Sequence, residues 1–154
     1  MTLSYAFQIL ETTRQNVLNL IEGLSTEQML VIPPGFRNNI LWNAGHMVAT
    51  QQLLLYGLSG MPFQVPQDFI DTFRKGTEAR TDYPAETITF IRENLLPTVR
   101  RAAVDYQNRN FGDFKTYPTS YGIELHSLEE AIQFNNTHEG LHLGYMMALR
   151  KAVA

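Results

Sequence analysis

His138-Glu139-Gly140-Leu141-His142 sets two imidazoles four residues apart around a carboxylate. On a helix that spacing stacks both rings on one face, where they can grip a metal ion. In zinc metalloproteases the intervening Glu polarises a water. Proteases of that type take a third ligand downstream, yet the twelve residues after His142 contain no His, Asp or Glu. The expected third ligand therefore lies upstream, and His46, in Asn43-Ala44-Gly45-His46-Met47, is the best placed. The expectation is a metal site inside a helix bundle. A protease cleft is disfavoured, because nothing in the chain offers an extended sheet edge for a peptide.

Burying an imidazole without a partner is costly, since its ring nitrogens lose water. A shared metal offsets that cost: neutral imidazole suits Zn, Ni, Cu or Fe. Three imidazoles also leave a coordination position open, as in catalytic sites. A single His on an apolar helix face is more often a hydrogen-bonded core residue, and HExxH also arises by accident. Three of four histidines on inward faces favour a metal. His126, just before the Ser127 cap, is expected at a solvent-exposed helix N-terminus. Glu139 lies one position from His138 and has three open roles: general base, hydrogen-bond support for a ligand, or a charge on the helix flank. Asn135 and Thr137 could also support a ligand.

The elements that must position these groups read as four long helices. Leu3, Phe7, Leu10, Val17, Leu20/Ile21 and Leu24 recur at helical spacing over 3–22. A capping box at Ser25-Thr26-Glu27-Gln28 opens a short turn that Pro33-Pro34-Gly35 ends. Helix 2 starts at Asn38/Asn39 and runs to about Tyr56, with Trp42, His46, Ala49 and Leu53 on one face. A long connection follows, with a short helix near 67–74. Its length suits a crossover between parallel helices. Helix 3 opens at Tyr83-Pro84 and reaches about Tyr106, with a kink expected at Pro97. The aromatic stretch 111–121 reads as a loop, either a roof over the metal pocket or a packed Ω-loop at the bundle end. Helix 4 begins at the Ser127-Leu128-Glu129-Glu130 capping box and carries Ala131, Phe134, His138, Leu141/His142, Tyr145 and Leu149 inward. No strand pattern, repeat or linker is evident, so 1–154 reads as one all-α four-helix-bundle domain.

Bulk composition narrows the function classes. Hydrophobic content of 44% and charge of 18% are ordinary for a globular protein. A net charge of −3 and the lack of a basic stripe argue against nucleic acid. With no cysteine, any transition-metal site must use His, Asp or Glu. Neither a signal peptide nor a membrane-spanning run is apparent, so a cytoplasmic location is expected.

The segments Leu41-Trp42-Asn43-Ala44-Gly45-His46-Met47 and His138-Glu139-Gly140-Leu141-His142-Leu143-Gly144-Tyr145, followed by Ala148-Leu149-Arg150, resemble those of the DinB-like superfamily. That superfamily includes damage-inducible DinB proteins, bacillithiol transferases and proteins described as metal-dependent hydrolases. Tyr145 departs from the Gln frequent at its position. The resemblance implies an up-down-down-up bundle, a divalent metal (usually Zn or Ni) on His46, His138 and His142, and often a homodimer. Known activities in the family include thiol S-transfer and thiol-dependent isomerisation.

Two functions follow as expectations. In the first, the metal lowers the pKa of a water or a low-molecular-weight thiol, which attacks a small electrophile, as in a transferase or hydrolase. In the second, the ion is non-catalytic and ties helix 2 to helix 4, with a structural or stress-related role.

Overall fold

The computed structural model describes residues 3–154. It is all-α apart from one small hairpin. Helices α1 (Leu3–Glu22), α3 (Ile40–Gln51), α5 (Ala85–Gln107) and α6 (Leu128–Val153) are the long elements; α2 (Thr26–Leu30) and α4 (Gln67–Phe73) are short. Helix α1 packs on α5 and α6, while α3 packs on α5, α6, α4 and α2. Helix α3 is consequently buried all round, from Ile40 to Ala49, not on one face as its spacing suggested. No helix is long and apolar enough to cross a membrane.

The caps are where the sequence puts them. Ser25 and Gln28 form both arms of a capping box. Asn39 Oδ1 accepts the Trp42 amide at 2.8 Å and starts α3. Ser127 Oγ accepts the Glu130 amide at 3.2 Å, but the Glu130 carboxylate reaches back to the His126 amide, at 2.6 Å. Helix α5 continues through Pro97.

Two features were not expected. The end of α3 widens into a π-helical turn, Gln52–Gly57, in which the Leu58 amide bonds Leu53 O at 3.0 Å. Single π turns of this kind are frequent at functional sites. The aromatic loop also folds into an antiparallel hairpin, β1 (Tyr117–Pro118) with β2 (Glu124–Leu125). Its turn depends on Gly122 at φ +102° and on Thr119, whose amide bonds Ile123 O at 2.9 Å.

The core divides into two apolar clusters. One surrounds Val17, Met47, Leu95 and Met146; the other surrounds Leu10, Leu55, Val99 and Ile132. Between them lies a polar layer centred on Arg14, which is wholly buried. Arg14 Nε and Nη2 grip Glu139 at 2.6 and 2.7 Å, Nη1 bonds Leu95 O at 2.8 Å, and Nη2 bonds Met47 O at 3.2 Å. One side chain thus joins α1, α3, α5 and α6. A buried charge is tolerated when it is paired and its donors are used, and this bidentate pair meets both conditions.

That layer explains the register of α6. Its buried residues are Ala131, Ile132, Asn135, Glu139, Met146 and Leu149. Of the expected inward stripe, Leu141 is 57% and Tyr145 37% exposed. The helix is turned so that Glu139 meets Arg14 and Asn135 donates to Glu139, which carries His138 to the flank of the core.

Candidate metal centre

The three histidines converge. His46 comes from α3, and His138 and His142 come from successive turns of α6. One ring nitrogen from each lies within 4.8 Å of the others. The ring centroids are 4.4 to 5.1 Å apart, and the Nε2 atoms of His46 and His138 approach to 3.2 Å. Nitrogens bound about 2.0–2.1 Å from a tetrahedral ion are themselves roughly 3.3 Å apart, so the closest pair already has that spacing.

The hydrogen bonds behind the rings fix two tautomers. His46 Nδ1 lies 2.7 Å from Phe73 O, a carbonyl that only accepts, so Nδ1 carries the proton and Nε2 is bare. His142 Nδ1 lies 2.7 Å from Asn43 Oδ1. The Asn43 amide is itself oriented, because its Nδ2 donates to Asn38 Oδ1 and Asn39 O. His142 therefore also donates from Nδ1 and bares Nε2. His138 Nδ1 is buried and has no hydrogen-bond partner among the described residues. A bare Nε2 on two rings, a close third ring and an orphaned ring nitrogen suit a divalent cation, and this donor set needs no thiolate.

Local sequence accounts for this placement. The Trp42 indole stacks on His46 at 4.5 Å and 10°. Phe73, at the end of α4, lies so close to α3 that a Cβ on Gly45 would come within 2.5 Å of its ring. Glycine at 45 thus lets α4 approach and deliver the Phe73 carbonyl to His46. Burial pushes all three imidazoles toward the neutral form that binds metal. His46 is shifted down by desolvation. His142 falls to about 4 through desolvation and the neighbouring His46. His138 falls to about 2 through desolvation, with His142, His46 and Arg14 adding to the shift.

A cavity of about 400 Å³ opens beside His46 and His138. The π turn contributes Leu53 and Leu54 to its wall, Leu58 just beyond it adds to the same side, and Phe134 closes another. The aromatic loop serves both expected purposes. Phe111 and Phe114 pack on the second apolar cluster, while Tyr117, Thr119 and Ser120 border the cavity.

The remaining expected residues lie elsewhere. Glu139 is fully buried with both oxygens on Arg14, and Asn135 Nδ2 donates to its Oε1 at 3.0 Å. No hydrogen bond joins Glu139 to the imidazoles among the described residues. Thr137 is exposed, and so is His126, whose ring faces Glu124 at 3.5 Å. The supports that sequence reasoning missed are Asn43 and the Phe73 carbonyl. Asn43 had a signal, an amide one turn before His46 on a buried helix.

The DinB superfamily profile matches residues 9–146. The chain belongs to the DinB superfamily. Both histidine segments fall within the matched region. Comparison with curated proteins gives no match. Membership in this superfamily and the three-histidine cluster support a metal-binding DinB-like protein.

Proposed function

We propose that the protein is a metal-dependent enzyme that activates a small thiol, or water, for attack on a small electrophile. His46, His138 and His142 are the proposed ligands, with Zn or Ni the ion. The observation that carries the reading is the convergence of three neutral imidazoles, two of which, His46 and His138, line an open cavity. A divalent ion held there supplies Lewis acidity, which lowers the pKa of a bound water or thiol.

The protein's own residues do the rest. Phe73 O and Asn43 hold two rings in the tautomer that bares Nε2. Leu53, Leu54 and Phe134 shield the reacting groups from water. Thr50, whose Oγ1 is 3.3 Å from His46 Nε2, offers a hydroxyl at the cavity floor. The general-base role open to Glu139 gives way in this reading to a structural one, since both its oxygens are occupied. An up-down-down-up path, a cytoplasmic location and a homodimer complete the proposal, the last supported by the exposed Leu141, Tyr145 and Met147 on α6.

Metal content and turnover test the reading together. Protein purified without an affinity tag is expected to carry a divalent ion and to transfer a low-molecular-weight thiol to an electrophile. His46→Ala is expected to lose both. A variant stripped of metal yet fully active overturns it.

A further inference from the structure

The chain has three lysines, and two of them, Lys75 and Lys115, line the cavity beside His46 and His138. We infer that this cavity binds a small amphiphile whose anionic head group is held by Lys75 and Lys115 and whose apolar body lies against Leu53, Leu54 and Phe134. The inference deepens the proposed function by naming the chemical class of its ligand.

Charge, anchoring and wall chemistry carry it independently of one another. The chain as a whole is acidic at −3, yet no Asp or Glu lines this cavity, so its rim is locally cationic. Neither lysine is engaged in an ion pair among the described residues, whereas Arg14, Arg74, Arg80, Arg100 and Arg101 each face a carboxylate. Neighbouring anchors place both lysines at the rim. Lys75 lies two residues beyond Phe73, whose carbonyl holds His46, and the Lys115 amide bonds Leu58 O just beyond the π turn. Hydroxyls of Thr50, Thr119 and Ser120 add polar contacts. The volume, about 400 Å³, is within the roughly 300–1,000 Å³ of small-molecule sites, and its walls are mainly apolar, as such sites are. A low-dielectric wall strengthens the attraction of both ammonium groups for one anion.

Calorimetric titration with 4-phenylbutyrate and its neutral counterpart 4-phenylbutanol tests the inference on protein as purified and after zinc saturation. The carboxylate is expected to bind more tightly than the alcohol, and added salt to narrow the gap. Lys75→Gln and Lys115→Gln should each weaken the carboxylate by about fivefold, leaving the alcohol unchanged, as suits a partly exposed charge pair. Lys151→Gln, on the far end of α6, should change neither. Melting temperatures equal to wild type establish that the variants are folded. Equal affinity for the two probes, or a carboxylate preference that survives Lys75→Gln/Lys115→Gln, overturns the inference. A preference seen only after zinc saturation and untouched by the lysine variants assigns the anion to the ion and also overturns it. Failure of wild-type protein to bind zinc contradicts the proposed function instead, and the lysine comparison on protein as purified still decides this one.

Discussion

Glu139→Gln separates the two roles that the HExxH pattern allows this residue. The substitution preserves shape but leaves the Arg14 guanidinium buried without a counter-charge. The new amide nitrogen also faces donors that it cannot accept from. Breaking a buried pair from one side costs about 3–5 kcal/mol. For a chain of this size that lowers the melting temperature by roughly 6–20 °C. Urea and thermal unfolding of the metal-loaded protein measure the effect. Arg14→Met should be similarly damaging, and Arg14→Met/Glu139→Leu should recover much of the loss, because apolar replacement of both partners is often neutral or better. A general base predicts the opposite pattern: stability unchanged, with turnover reduced by about 10²–10⁴-fold. Wild-type stability for Glu139→Gln refutes the structural role.

Three further outcomes follow from the geometry. Asn43→Ala removes the acceptor of His142 Nδ1 and should weaken metal affinity by about 10–100-fold in a competitive chelator titration, with the helices intact by circular dichroism. Gly45→Ala forces the Phe73 ring aside; overpacking of about 1–3 kcal/mol exceeds the ~1 kcal/mol gain in helix propensity, so urea unfolding should show net destabilisation. The metal-free protein should lose stability in acid. Folded-state pKa values of about 4 for His142 and about 2 for His138 lie below the model-peptide 6.5. The unfolded chain thus binds more protons below pH 6.5, and stability present above that pH is lost as pH falls toward 4. The slope for these two imidazoles together is about 3 kcal/mol per pH unit, measurable by urea unfolding at stepped pH in the presence of a chelator.

Much of the candidate metal centre is legible in the sequence because its signals are local. The i, i+4 spacing of His138 and His142, the cap at Asn39 and the turn from Trp42 to His46 each depend on a few neighbouring residues. The register of α6 is not local. Leu128, Ile132, Asn135, Glu139, His142, Met146 and Leu149 form one stripe at three- and four-residue spacing, and Ala131, Phe134, His138, Leu141 and Tyr145 form another. The second is the more apolar and therefore the more attractive to periodicity. The first wins because Arg14, far away on α1, supplies the partner that makes Glu139 buriable, and Glu139 in turn accepts from Asn135. Arg14 itself carries a legible mark: Leu10, Arg14, Val17 and Ile21 share a helical face, so the cation sits where a core residue belongs. The π turn and the approach of Phe73 over Gly45 depend on packing between elements, and no short pattern announces them.

X-ray absorption at the zinc edge, on protein loaded with one equivalent of zinc, tests the central claim most directly. Three imidazole nitrogens at about 2.0–2.1 Å and one exchangeable oxygen ligand are expected, falling to two imidazoles in His46→Ala. A wild-type spectrum with one imidazole or none, or one unchanged by His46→Ala, contradicts the account.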